Sequence, residues 1–466
     1  MKTRETKKQN RSSVILSEAT DGVNKVRLIG SARAEEEEAC PWEEIDAYSG
    51  RFVMAGHRFD DNDNINNYHP WLAYSTDGGK TWTRSETTAE ENQAHGVLQA
   101  LAYGGGRFVV AGHRFDDDNS ESENFHPWLA YSIDGGKTWT PSTTTSEESQ
   151  PHGVLRALAY GGGRFVVAGY RYSTSEGTSD DYHPWIAYST DGGETWTRSE
   201  TTAEEDQTHG QLLALTYGGG RFVVAGYRYD DVENSNNENY HPWLAYSADG
   251  GKTWTKSETT AEEDQTHGQL RALAYGGGRF VVAGYRYDDD NNSESENYHP
   301  WLAYSTDGGK TWTRSETTAE VDQAHGQLRA LAYGGGRFVV AGYRYDDDDT
   351  DNFHPWLAYS TDGGETWTKS ETTANSGQTH GQLWALTYGG GRFVVAGYRY
   401  EDVENNKGEN FHPWLAYSTD GGKTWTRSET TAKEDQAHGW LYALTYAPDS
   451  YCWKFGKEEE TEETTE

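Results

Sequence analysis

The feature that most constrains this chain is its self-similarity. The string Ser-x-Asp-Gly-Gly-x-Thr-Trp occurs seven times in 466 residues, beginning at Ser75, Ser132, Ser189, Ser247, Ser305, Ser360 and Ser418, with 55 to 58 residues from one copy to the next. A period of that length marks an array of supersecondary units, none of which buries its apolar face alone. Each unit reads as four short strands. In one of them, residues 268–275 (GQLRALAY) make a first strand and a Gly-Gly-Gly turn follows. Residues 279–287 (RFVVAGYRY) make a second, and 288–297 an acidic loop. Residues 298–305 (YHPWLAYS) make a third, and Asp307-Gly308-Gly309 turns into a fourth over 310–317. The aromatic and β-branched content suits strands. Phe280 and Val282 face one way along the second strand and Val281 and Ala283 the other, so it needs cover on both sides. Helical periodicity is absent, which excludes helical solenoids. A ring of blades packed face to face meets these demands, so the expected fold is an all-β propeller of four-stranded antiparallel blades.

The ends of the chain bear on the blade count. The turn Asp precedes the Arg that opens the next second strand by 30 residues, as in Asp77 to Arg107, and Asp21 precedes Arg51 by the same interval. Residues 14–29 therefore read as a worn third-and-fourth-strand hairpin, with Val26 where Trp belongs. Residues 439–446 (GWLYALTY) read as a first strand and 450–456 as a second. Joined, these pieces make an eighth blade shared by the two termini, added to seven full repeats; a ring of seven with ragged ends is the alternative. Residues 1–12 are expected to be disordered, 13–456 to form the single propeller, and 457–466 to be a disordered acidic tail. Cys40 and Cys452 fall at the seam. Two cysteines make neither a disulfide framework nor a zinc site; free buried thiols are expected there, with a disulfide between them the alternative.

Composition narrows the partners. The net charge of -35 argues against nucleic acid, which needs basic stripes, and against adsorption to anionic membranes. Only 34% of residues are hydrophobic, but 18 Trp and 31 Tyr concentrate burial in few positions. No apolar run follows the charged residues 1–10, so neither a signal peptide nor a membrane span is expected. The default expectation is a cytoplasmic monomer.

The recurring octapeptide has a direct physical reading. Asp77 can accept backbone N–H bonds in a tight turn, Gly78 and Gly79 tolerate positive φ, the Ser75 and Thr81 hydroxyls satisfy what remains, and Trp82 covers the turn. These residues at this spacing resemble the Asp box, or bacterial neuraminidase repeat. Similar repeats occur in sialidases, xyloglucan-degrading propellers, sortilin-type receptors and the photosystem II assembly factor. The resemblance implies a propeller without implying one activity. It also implies a structural turn, away from any active site, for Asp77, Asp134, Asp191, Asp249, Asp307, Asp362 and Asp420.

Catalysis is not expected. Sialidases of this kind carry an Arg-Ile-Pro segment, an arginine triad, a Tyr–Glu pair and an acid/base carboxylate, and no Arg-Ile-Pro occurs here. A glycosidase also needs two carboxylates at one site in different environments. Here almost every polar candidate recurs once per blade. The departures are His57 and His113 in place of a Tyr, and Trp384 and Trp440 in or beside a first strand.

Three recurring groups map to one face of the ring, that of the loops joining fourth to first and second to third strands. His95, His152, His209, His267, His325, His380 and His438 open first strands. His69, His126, His183, His241, His299, His354 and His412 open third strands. They are followed by Trp71, Trp128, Trp185, Trp243, Trp301, Trp356 and Trp414. Arg58, Arg114, Arg171, Arg228, Arg286, Arg344 and Arg399 close second strands. One reading is structural: the histidines and arginines satisfy loops and the indoles pack between blades. A second is one shallow ligand site per blade, giving multivalent, lectin-like glycan recognition. A third is a metal, calcium in the acidic loops or a transition metal on the histidines, although loop length and order vary. No cofactor is required. The expectation is a non-enzymatic binding or scaffold propeller with a glycan or protein partner; a sialidase-like hydrolase and a complex-assembly factor are the alternatives.

Overall fold

The computed structural model describes residues 50–59, 68–87, 96–115, 125–144, 152–172, 182–201, 209–229, 240–259, 267–287, 298–317, 325–346, 349–372, 380–400, 411–428 and 439–448, with the hairpin 16–20 and 23–27. Among these residues seven antiparallel blades surround a central channel. Strands are lettered A to D from the channel outward. In the fifth blade they are Gly268–Gly276, Arg279–Tyr287, Tyr298–Ser305 and Thr311–Arg314. Neighbouring A strands lie side by side around the channel, and Gly439–Pro448 sits between His380–Gly389 and Gly96–Gly104.

That last strand corrects the expected count of eight. It pairs antiparallel with Gly50–Phe59, Arg51 opposite Ala447 and Met54 opposite Leu444. Gly50–Phe59 in turn pairs with Tyr68–Ser75, and that strand with Thr83–Arg84. The two ends of the chain thus share the first blade, and the ring closes at seven. Leu16–Thr20 and Val23–Arg27 do pair, Ala19 opposite Asn24, but as a two-stranded sheet of their own that, among the described residues, joins no blade. The reason lies in the pattern. The stretch just before Arg51 would set Glu44 where the other A strands bury an alanine, whereas Gly439–Pro448 supplies Ala443 between Leu441 and Leu444. A carboxylate there would be buried without compensation. Residues 450–456, Cys40 and Cys452 lie outside the described residues.

The core sits between blades. Val281 and Ala283 of the fifth blade pack against Leu328, Phe338, Val340, Trp356 and Trp367 of the sixth, all buried. Phe280 and Val282 pack on the fourth blade. Burying one such side chain contributes roughly 1.5–3 kcal/mol, and every blade contributes to two interfaces, so stability depends on ring closure. The outer edges are stitched as well. Glu316–Thr317 pairs parallel with Thr366 and Trp367 of the next blade, and Ser315 Oγ donates to the Gly364 carbonyl at 2.5 Å. This cover blunts the edge that strand D would otherwise offer to another chain.

Each A strand carries one irregularity. Register shifts between Leu270 and Ala272, so Arg271 has no cross-strand partner. The same bulge falls at the equivalent residue of all seven blades. Gly284 opposite permits it, because a Cβ at that position would land on the Gln269 carbonyl oxygen. A bulge re-aims a side chain. Here it turns one residue per blade toward the channel.

Candidate functional site

The bulged residues are Tyr442, Gln99, Arg156, Leu213, Arg271, Arg329 and Trp384, in blade order. All seven line one cavity of about 240 Å³ at the channel. The next two residues of each A strand are Ala and Leu in every blade, while this one takes five residue types. The wall is completed by Gln211, Gln269 and Tyr227. Repetition ends at this cavity.

Its two sides differ in chemistry. Arg156, Arg271 and Arg329 come from the third, fifth and sixth blades. Arg156 Nη1 donates to Gln99 Oε1 at 2.5 Å, and Arg271 Nη2 to Gln269 Oε1 at 2.6 Å. The Arg271 guanidinium lies 5.3 Å from the Tyr285 ring centre, and that of Arg329 lies 5.5 Å from Tyr343 and 5.4 Å from Trp384. Among the described residues no carboxylate pairs with any of the three. Burial, and then the charge of Arg329, pull the Arg271 pKa below its ordinary value. From so high a starting point the guanidinium stays charged. Three cations gathered without counter-charge cost free energy that a bound anion would return.

The opposite arc is aromatic. Trp384 of the seventh blade stands 4.4 Å from Tyr442 of the first, ring centre to ring centre. Trp384 Nε1 donates to Gln382 Oε1 at 2.8 Å, which fixes the indole in the cavity wall. Behind it Trp440 stacks on Tyr398 at 5.1 Å and tilts against His57 at 5.3 Å. His57 and His113 occupy the strand-B position held by Tyr170, Tyr227, Tyr285, Tyr343 and Tyr398 in the other blades. Both are almost wholly inaccessible. Burial lowers the pKa of each to about 3, with Arg156 and His57 adding to the effect at His113, so both stay neutral.

The repeated groups singled out from sequence lie elsewhere. Trp71, Trp128, Trp185, Trp243, Trp301, Trp356 and Trp414 are only 2–8% exposed, packed between blades. An indole so covered has no open face on which a sugar could stack. The arginines closing strand B stand opposite the histidines opening strand C, as Arg286 opposite His299 and Arg171 opposite His183. Five of these histidines meet the one opening the next A strand. Ring centres are 5.1 Å apart for His126 and His152, 5.4 Å for His183 and His209, 5.5 Å for His241 and His267, 5.6 Å for His299 and His325, and 5.2 Å for His354 and His380. At these five blade junctions an arginine closing strand B lies beside a pair of histidines. His95 and His438 lie outside the described residues. Among those residues no cluster of three or more metal-ligating side chains occurs.

The Asp boxes close the opposite end of each blade. Asp307 Oδ1 accepts from the Lys310 and Thr311 amides at 3.0 Å and from Ser305 Oγ at 2.9 Å, and Oδ2 accepts from Thr311 Oγ1 at 2.7 Å. Partial burial would raise its pKa. The hydrogen bonds from Thr311, Ser305 and Lys310 outweigh that and hold it below the usual carboxylate range. Gly308 and Gly309 sit at φ +83° and +84°, where a side chain would strain the turn. The arginine that opens strand B reaches the next box: Arg51 Nη1 donates to the Asp134 carbonyl at 2.7 Å, and Arg107 and Arg279 make 2.6 Å ion pairs with Glu194 and Glu365. Each Asp-box carboxylate thus accepts hydrogen bonds from the amides and hydroxyls of its own turn.

Two repeat models match the chain. The BNR repeat-like domain matches residues 108–284, 188–330 and 285–445, and the BNR/Asp-box repeat matches 73–84. No curated protein matches. Among solved structures, a protein of unknown function from Dyadobacter fermentans is 19% identical, aligned over 69% of this chain and 94% of its own, with a TM-score of 0.45. The Trypanosoma rangeli sialidase is 12% identical over 77% and 57%, TM-score 0.42. The Hadza microbial sialidase Hz136 is 15% identical over 70% and 71%, TM-score 0.45.

Proposed function

We propose that this chain, which belongs to the BNR repeat-like domain family, binds a small anion in its central cavity and does not turn it over. The observation that carries the reading is the gathering of Arg156, Arg271 and Arg329 at the one bulged position per blade, with no carboxylate paired to them among the described residues. Guanidinium groups present forked donors that match a carboxylate or phosphate, and partial desolvation strengthens the match. Hydrolysis is disfavoured by the wall itself. Its ten described residues include no Asp or Glu, whereas glycoside hydrolysis ordinarily uses a pair of them. The blade-junction histidines and arginines support multivalent glycan binding less well, because the neighbouring indoles are buried.

Calorimetric titration with glucuronate, benzoate and citrate, set against glucose and benzamide, tests this reading. Only the anions should bind. Arg329→Gln places in the sixth blade the residue that the second blade carries as Gln99, so the fold accommodates it. Losing a charge-assisted contact worth about 1.5–3 kcal/mol should weaken binding at least tenfold. Nitrophenyl glycosides of acidic sugars should release no nitrophenol above a buffer blank. Equal binding of neutral and charged compounds, or an Arg329→Gln variant as tight as the parent, would remove the basis of the reading.

A further inference from the structure

We infer that the ligand is an aromatic carboxylate, not a sugar acid. The inference rests on the anion-binding reading and goes beyond it by reading the hydrogen-bond inventory of the wall. A sugar acid brings several hydroxyl donors, each of which needs an acceptor once desolvated. The cavity offers few. Of its three lining glutamines, Gln99 and Gln269 each already commit one carbonyl lone pair, to Arg156 and Arg271. Among the described residues no carboxylate lines it. The three arginines are donors only. A ligand rich in acceptors and poor in donors fits this inventory, and a polyol does not.

The aromatic arc decides what the rest of the ligand is. The Arg329 guanidinium lies 5.4 Å from the Trp384 ring centre, and Tyr442 stands 4.4 Å from Trp384. A carboxylate held by Arg329 therefore carries whatever is bonded to it against these two rings. A flat ring attached directly, or through one carbon, would reach them. Stacked or edge-on aromatic pairs gain beyond simple burial. The Trp384 N–H is already satisfied by Gln382, so the indole presents apolar surface and does not act as a hydrogen-bond reader. Arg271, one blade from Arg329, would take a second carboxylate on the same ring.

The test compares benzoate, isophthalate, cyclohexanecarboxylate and glucuronate by calorimetry on the full chain, with quenching of tryptophan fluorescence as a second readout. Isophthalate and benzoate should bind at least tenfold more tightly than glucuronate, with cyclohexanecarboxylate between. Trp384→Leu repeats the residue that the fourth blade carries as Leu213, so it should fold. In that variant the advantage of benzoate over cyclohexanecarboxylate should vanish, while Arg329→Gln should weaken all four acids together. If glucuronate binds as tightly as benzoate, the aromatic inference fails and anion binding stands. If none of the four acids binds, both fail.

Discussion

His57 and His113 make the ring acid-sensitive in a calculable way. Both are buried and neutral, with pKa near 3 against about 6.5 in an unfolded chain. For a base with a depressed folded pKa, the unfolded state binds more protons below pH 6.5. Stability is therefore complete above about 6.5 and declines as pH falls toward 3. From pH 7.5 to 5.0 each histidine costs about 1.5 units at 1.36 kcal/mol, or about 2 kcal/mol, and the pair about 4 kcal/mol. His113→Tyr removes one of them. The third blade shows that the change fits, since Tyr170 there stands opposite Val154 as His113 stands opposite Val97. Denaturant unfolding of parent and variant at the two pH values isolates the effect, because the remaining titrating groups are common to both. The parent should lose about 2 kcal/mol more than the variant over that interval. Equal losses would mean that His113 is protonated or accessible in the folded ring, and the argument from burial would be refuted.

Other consequences follow from the same geometry. Asp307→Ala removes the acceptor for two amides and two hydroxyls, so it should destabilise by about 1–3 kcal/mol, read as a lowered midpoint in denaturant. Because the Asp-box carboxyls are held below their ordinary pKa, their contribution is present above about pH 4 and is lost only as pH falls through the lower folded value, below the pH 7.5 to 5.0 interval of the histidine test. Gly284→Ala would drive a methyl into the Gln269 carbonyl; it should destabilise by about 1–3 kcal/mol and, by displacing Arg271, weaken anion binding in the titration. Glu194→Lys breaks a half-exposed ion pair at a position that is Lys in most blades, so its cost should stay below about 1 kcal/mol and shrink further in salt.

How much of this was legible in the sequence depended on whether a feature repeats. The four-stranded unit, the Asp-box turn and the doubly apolar strand B each recur, and each recurrence confirms the reading of the others. Ring closure occurs once, and there spacing misled. The interval from Asp21 to Arg51 matches the repeat, but strand pairing is decided by which side chains a strand must bury, and Glu44 competes poorly with Ala443 for an inter-blade core. The cavity was hidden for the opposite reason. Polar residues that recur in every blade point to no single site, yet Arg156, Arg271 and Arg329 recur only in part, in a column shared with Gln99, Leu213, Trp384 and Tyr442. That column was in plain view as the position where chemistry changes between an apolar residue and an alanine that never vary. What alternation could not supply was its direction. In a regular strand the arginines would alternate with Leu270 and Ala272 between two buried blade faces, an untenable place for a charge. The bulge resolves that conflict by turning them toward the channel, and the glycine that allows it, Gly284 and its equivalents, is invariant across the seven blades. A charge recurring at a nominally buried strand position, opposite a glycine that never changes, is thus the mark that a channel-facing site leaves in the amino-acid sequence of a propeller.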